Sequence, residues 1–394
     1  MQYSKKFESI SPSPTLAIDS KFKEMKAQGY DVVGFGAGEP DYDTPNHIKQ
    51  AAINAILNGK TKYTPASGTL ELKKAICEKF QRDNGLNYTP ENIVVSNGAK
   101  HSLINAFGAI LNPGDEVIVP APFWVSYPEM IKYNDGVPVI LYTNEKNGFK
   151  FTAKELEKII TPKTKALVLN SPSNPTGMVY TKEELRAIAN VCLNHNIYII
   201  SDEIYEHLVY GSAKHVSIAS FGDEIKNRTI IVNGLSKTYA MTGWRIGFNA
   251  SNEKIAKLMA NVQSHTTSNP NSIAQEAAVA ALTGPTEELR EMISQFDKRR
   301  QYMVERMNTI EGVSCTEPQG AFYVMMNIEK LIGKTIKGKL IENADDFAEI
   351  FLENQLVAVV PGTGFQAPHH VRWSYATSLE NIKEGLDRLE ALLK

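Results

Sequence analysis

Residues 165–205 read KALVLNSPSNPTGMVYTKEELRAIANVCLNHNIYIISDEIY. A short apolar run, KALVLN, gives way to a turn marked by Pro and Gly. Then comes KEELRAIANVCLNH, whose apolar residues return every three or four positions, and then a second short β-branched run, NIYIISD. Strand, helix, strand in that order predicts two parallel strands joined by a crossover helix, because a helix of this length carries the chain back to the end where the first strand began.

The same alternation extends in both directions. NIVVS precedes HSLINAFGAI, DEVIVP precedes SYPEMIKY, and PVILY precedes AKELEKII; downstream lie RTIIVN and WRIGF. Repeated alternation from about residue 90 to 250 predicts a mostly parallel sheet covered by helices on both faces. After WRIGF the strands stop. NEKIAKLMANVQ, NSIAQEAAVAAL and TEELREMISQFDKRRQYMVERMNTI read as helices, the last opened by Gly284-Pro285-Thr286 and closed by Gly312. AFYVMMN, DDFAEIFLENQ, VAVVPG, HVRWSYA and SLENIKEGLDRLEALL then mix strands with helices. The expected fold class is α/β: a large domain with a mostly parallel sheet flanked by helices, residues 44–285, plus a smaller α+β domain made of 1–43 and 286–394.

Composition excludes several functions. A chain of 394 residues with 42% hydrophobic and 22% charged residues and a formal charge of -2 is that of a globular protein with no polyanion to neutralise, so no nucleic-acid partner is expected. Three cysteines, Cys77, Cys192 and Cys315, form no C-x-x-C spacing, which argues against disulfides or structural zinc and suits the cytoplasm. No run is long and apolar enough for a membrane span, and the histidines show no ligand spacing, so neither membrane nor metal is expected.

Ligands of parallel sheets sit beyond the carboxyl ends of the strands. There the pattern places Gly98-Ala99-Lys100 after NIVVS, Trp124 after DEVIVP, Asn174 after KALVLN, Asp202 at the end of NIYIISD, and Lys237 after RTIIVN. Singly each is weak: an Asp after a strand is most often a cap, NPTG most often a turn, and a Lys/Arg pair such as Lys237 and Arg245 most often solvated. Together they match one small molecule. A desolvated lysine condenses with an aldehyde. A carboxylate such as Asp202 keeps a pyridine nitrogen protonated. Asn174 and Tyr205 suit a phenolic oxygen, Trp124 a ring face, and a helix start with Arg245 a phosphate. The expected cofactor is pyridoxal 5'-phosphate.

SKTYAMTGWRIGF, SPSNPTG, SDEIYEHLVY and HVRWSYATS resemble the class I aminotransferases of fold type I, most closely the bacterial aspartate aminotransferases of the thermophile-type subgroup. The likeness runs nearly end to end, through SPSPTLAIDSKFKEM, AGEPDYDTP and GKTKYTPASG. It implies that Lys237 carries the cofactor as a Schiff base and acts as general acid and base, with Asp202 on the ring nitrogen and Asn174 and Tyr205 on the ring hydroxyl. Gly98, Ala99, Lys100, Ser236 and Arg245 match the phosphate cup. Tyr63 matches the residue that reaches the neighbouring subunit's phosphate, which implies a homodimer with shared active sites. One departure stands out: many relatives carry a serine at the position of Gly234, so one phosphate hydroxyl is lacking here.

For substrate, the resemblance places Arg372 on the α-carboxylate with Gly38 beside it, and Trp124 and Asn174 along the same wall. Lys100, Ser13 and Thr15 match the group that meets a distal carboxylate, which favours aspartate with 2-oxoglutarate. Prephenate-using relatives commonly carry a lysine where this chain has Ser11. The competing expectations are an aminotransferase for aromatic amino acids, glutamine or prephenate, or a C-S lyase on the same fold.

Overall fold

In the computed structural model, which describes residues 3–12 and 14–394, seven strands form the central sheet: β1 (Ile93–Asn97), β2 (Glu116–Ala121), β3 (Val137–Tyr142), β4 (Thr164–Asn170), β5 (Tyr198–Asp202), β6 (Thr229–Gly234) and β7 (Ile246–Ala250). Their order across the sheet is β1-β7-β6-β5-β4-β2-β3. Every neighbouring pair is parallel except those made by β7, which runs antiparallel to both β1 and β6.

Continuous apolar runs suit these strands because both faces are covered. Val117, Val119, Val168 and Ile200 pack on one side with Leu103, Phe107 and Met259 of the helices Ala99–Ile110 and Glu253–Thr266. Their sequence neighbours Ile118, Leu167, Leu169 and Ile199 point the other way, onto Leu185, Ile188 and Cys192 of the helix Lys182–Asn194. That helix starts where it does because Thr181 and Glu184 satisfy each other's backbone N–H groups in a capping box.

A second, antiparallel sheet has four strands: β8 (Ser314–Cys315), β9 (Tyr323–Asn327), β10 (Val360–Pro361) and β11 (His370–Ser374), in the order β10-β11-β9-β8. The N-terminal segment joins this part of the molecule. Val33–Gly34 pairs in parallel with Val357–Ala358, and the Ser374 N–H donates to the Phe35 carbonyl at 2.9 Å. The run VAVVPG is therefore two short strands in two sheets rather than one. The long helix spans Glu287–Met307 and is capped by Asn308; Gly312, at φ 95°, turns the chain afterwards and is not its cap.

Candidate active site

The antiparallel placement of β7 explains the two cations that the sequence sets eight positions apart. The amino end of β7 lies at the edge where the parallel strands end: Ile246 pairs with Asn97, the last residue of β1, and Gly247 with Gly234, the last of β6. Arg245, just before β7, and Lys237, just after β6, therefore meet at one rim. Across this rim, between the two sheets, lies a cavity of about 410 Å³, within the range typical of small-molecule sites. Gly38, Ala99, Lys100, Trp124, Asn174, Asp202, Tyr205, Ser236, Lys237, Arg245 and Arg372 all line it.

Lys237 is half-buried, with its ammonium donating to the Gly38 carbonyl. Enclosure by protein, reinforced by Arg245 and Arg372 and opposed by Glu39 and Asp202, lowers its pKa from 10.5 to about 8. Asp202, 4% exposed, moves the other way: burial raises its pKa to about 6, against the hydrogen bonds that hold it. Those come from the Tyr127 hydroxyl to Oδ2 at 2.6 Å and the Ile204 N–H to Oδ1 at 3.3 Å. Asn170, at the end of β4, donates to the Asp202 carbonyl and accepts the Asn174 N–H at 2.8 Å, so the SPSNPTG turn and the Asp202 turn are fixed to each other.

At the end of β1 the chain turns through Gly98, at φ 84°, into the helix Ala99–Ile110, whose first N–H groups have no acceptor within the helix. Gly98 is buried beneath Arg245: a Cβ there would lie 2.3 Å from Arg245 Nη2. A Cβ on Gly247 would lie 2.1 Å from the Ala99 nitrogen. The two glycines let a fixed guanidinium and a helix N-terminus converge, a combination suited to a phosphate dianion. Arg245 itself holds a left-handed backbone, φ 56°, and its Nη1 donates to the Thr242 carbonyl at 2.9 Å.

The opposite wall belongs to the small sheet. Arg372, 2% exposed, projects from β11 with its guanidinium 4.3 Å from the centre of the Tyr323 ring. Nη1 donates to Asn174 Oδ1 at 2.9 Å and Nη2 to the Gly36 carbonyl at 3.1 Å, while Nε has no partner among the described residues. A buried cation facing a cavity with donors to spare suits a carboxylate. Lys100 stands elsewhere on the cavity wall, its ammonium 4.9 Å from the Trp124 ring; partial enclosure and the charge of Arg245 lower its pKa. The donor set fits a phosphorylated, aldehyde-bearing pyridine: amine, buried carboxylate, amide and phenol, indole face, and phosphate cradle all border one space.

One expected residue lies apart from it. Tyr63 is 91% exposed and does not line the cavity of its own chain. Ser13, and the side chain of Thr15, lie outside the described residues. Residues that the sequence alone does not single out include Tyr127, Tyr323 and Glu39, whose carboxylate accepts from the Thr242 hydroxyl at 2.7 Å. Tyr127 carries a weak signal, since it follows Trp124 by three positions just past a strand end. Tyr323 carries none, because its run AFYVMMN reads as plain core.

The family described as aminotransferase class I and II matches residues 30–389. An aspartate aminotransferase of Geobacillus stearothermophilus is 50% identical, covering 100% of this chain and 99% of that one. An aspartate/prephenate aminotransferase of Nitrosomonas europaea is 45% identical, with both chains fully covered. The solved structure of the Thermus thermophilus aspartate aminotransferase with maleate superposes with a TM-score of 0.94 at 44% identity, again covering 100% of both chains. Identity at this level over complete lengths, on the same arrangement of two sheets about one cavity, settles the family: the chain belongs to the class I and II aminotransferases and is a pyridoxal-5'-phosphate-dependent enzyme.

Proposed function

We propose that the protein is an aspartate aminotransferase, moving the amino group of L-aspartate to 2-oxoglutarate to give oxaloacetate and L-glutamate by ping-pong transamination. The observation that carries this reading is the pairing of Arg372 and Lys100, two cations lining one cavity with Lys237. Arg372 takes the α-carboxylate beside Gly38, and Lys100 takes a second, distal carboxylate. The relatives named for aspartate support it, as does the dicarboxylate maleate in the Thermus structure.

When bound, pyridoxal phosphate supplies an aldehyde that condenses with amines and a ring that accepts the electron pair left by a departing α-proton. The chain does the rest. With its pKa near 8, roughly one Lys237 in ten is neutral at pH 7, against roughly one in three thousand for an ordinary lysine. Lys237 would hold the cofactor through its aldehyde, and, with its place there taken by the substrate amine, the free Nζ would accept the α-proton and deliver it to the carbon that had been the aldehyde. Asp202, held by Tyr127, keeps the proton on the ring nitrogen. Tyr205 and the Asn174 amide, whose Oδ1 is already given to Arg372, donate to the ring hydroxyl. Ser236, Arg245 and the Gly98-Ala99-Lys100 turn hold the phosphate, and Trp124 covers a ring face.

The reading extends to a homodimer in which Tyr63 reaches the partner's phosphate, acting in the cytoplasm. Among the described residues no helix is long and apolar enough to cross a membrane. Prephenate is the competing acceptor because the Nitrosomonas relative is named for it. The N-terminal segment of this chain places Ser11 rather than a cation at the position that distinguishes such relatives, and the Ser11 N–H is engaged with Glu129 at 3.0 Å.

The test is an absorbance titration of the purified holoenzyme with aspartate and with alanine, in wild type and in Lys100→Ala. The expected outcome is that aspartate bleaches the cofactor band in wild type, while Lys100→Ala needs about tenfold more aspartate, the loss of one charged hydrogen bond, with little change for alanine. A mutant equally impaired with both amino acids would remove Lys100 from the distal site.

A further inference from the structure

Tyr323 touches both halves of the site. It projects from β9, 1% exposed, on the same face as Arg372 of the paired strand β11; the register sets Met325 opposite Arg372 and Tyr323 opposite Ser374, so Tyr323 is the diagonal neighbour of Arg372. Its ring lies under the guanidinium at 4.3 Å, and its hydroxyl lies 3.1 Å from that of Tyr205, which belongs to the turn after β5. Tyr205 is held edge-on by Phe322 and Tyr323, with ring centres 5.5 and 6.0 Å away, so neither phenol swings freely. Packing explains the rings. It does not explain a hydroxyl pair at hydrogen-bond distance bordering the cavity, where phenylalanine would fill the same volume.

We infer that Tyr323 is a positioning residue that joins the grip on the substrate carboxylate to the grip on the cofactor: its ring carries Arg372, and its hydroxyl donates to Tyr205, leaving the Tyr205 proton aimed outward at the ring oxygen. This rests on the proposed roles of Tyr205 and Arg372. Two hydroxyls between them hold two protons. If Tyr205 donates to a cofactor oxygen, it accepts from Tyr323, and each bond in such a chain strengthens the next. The face of Tyr323 meanwhile supplies the only aromatic support within 5 Å of Arg372 among the described residues; Phe365 is the next, at 5.2 Å.

The two roles separate in two variants, Tyr323→Phe, which keeps the ring and loses the hydroxyl, and Tyr323→Leu, which loses both. Holoenzymes of each and of wild type are titrated with pH by absorbance of the cofactor band, and with succinate, an unreactive dicarboxylate, by the change in that band. A weaker donor leaves more negative charge on the cofactor's ring oxygen, so the neighbouring nitrogen of Lys237 keeps its proton to higher pH. Tyr323→Phe should raise the midpoint by about half a pH unit while succinate binds within about twofold of wild type. Tyr323→Leu should raise the midpoint similarly and weaken succinate by about five- to tenfold. A Tyr323→Phe midpoint equal to wild type overturns the hydroxyl role, and wild-type succinate affinity in Tyr323→Leu overturns the ring role. A wild-type holoenzyme with no titrating band would overturn instead the site assignment beneath both.

Discussion

Asp202 sits where its charge is costly. A carboxyl whose pKa is raised by folding favours the folded state only while it is protonated in both states; that contribution is lost as pH climbs from its ordinary 3.8 through about 6. The gap corresponds to roughly 3 kcal/mol. The apoprotein at pH 7 therefore carries a buried carboxylate that a bound pyridinium would relieve. Asp202→Asn keeps the shape and the Tyr127 hydrogen bond, so its apoprotein should unfold at higher temperature than wild type at pH 7, with the difference vanishing towards pH 4. Calorimetry at the two pH values checks this; the same variant should lose transamination by several orders of magnitude. An apoprotein variant no more stable than wild type at pH 7 would show that Asp202 is not held at a cost. The sequence disclosed Asp202 by its place at a strand end. Tyr127, whose hydroxyl donates to that carboxylate, was barely legible, because its place three positions past Trp124 is a weak signal and a tyrosine inside a short helix otherwise announces only burial.

At the level of elements, the proposed phosphate cradle needs two glycines as well as a cation, because a Cβ on Gly98 or Gly247 would collide with Arg245 or with the Ala99 nitrogen. Gly98 combines a positive φ with direct contact beneath Arg245, so Gly98→Ala should both strain the turn and push the guanidinium outward. The expected result is at least tenfold weaker retention of pyridoxal phosphate, measured by release on dialysis, with circular dichroism of the apoprotein unchanged. Behind the Asp202–Tyr205 turn lies a different support. Lys79 and Glu206, 2% and 5% exposed, form an ion pair, and the Asn233 and Asn84 amides also donate to Glu206. Burial pushes the Glu206 carboxyl up, but Lys79, with His207 and His215, holds it well below the usual carboxylate range. Lys79→Met leaves that carboxylate without its cation and should cost about 3–5 kcal/mol in urea unfolding, far more than an exposed pair. The strands were legible because each is a dense apolar run with a mark at its end. The hand of β7 was not: WRIGF reads the same in either direction, and only pairing with β1 and β6 fixes it. The helices Asn46–Leu57 and Leu70–Lys79 carry no chemical motif and drew no expectation.

For the molecule as a whole, the division into residues 44–285 and 1–43 with 286–394 stands as a proposal. It is supported by the pairing of Val33–Gly34 with Val357–Ala358 and by the segment between, where Asp41 binds Arg299 at 2.8 Å and Thr44 binds the Ala240 carbonyl at 2.7 Å. Assembly is the larger question. Tyr63 is 91% exposed, and Ile53, Ile56 and Leu57, at helical spacing on Asn46–Leu57, are exposed as well, which suits an interface between copies. If Tyr63 serves the partner's phosphate, each site draws on two chains, and complementation reveals it. Tyr63→Ala lacks the donated phenol, and Lys237→Ala lacks the amine. In a mixed dimer the Tyr63 of the Lys237→Ala chain meets the Lys237 of the Tyr63→Ala chain, restoring one complete site, whereas the other site lacks both. Equal amounts unfolded together and refolded should give half mixed dimers, hence about a quarter of wild-type sites and about a quarter of its specific activity after subtracting the weak Tyr63→Ala background. If each chain instead supplied its own Tyr63, no mixed site would contain both residues, and the refolded mixture would show only the average of its two parents.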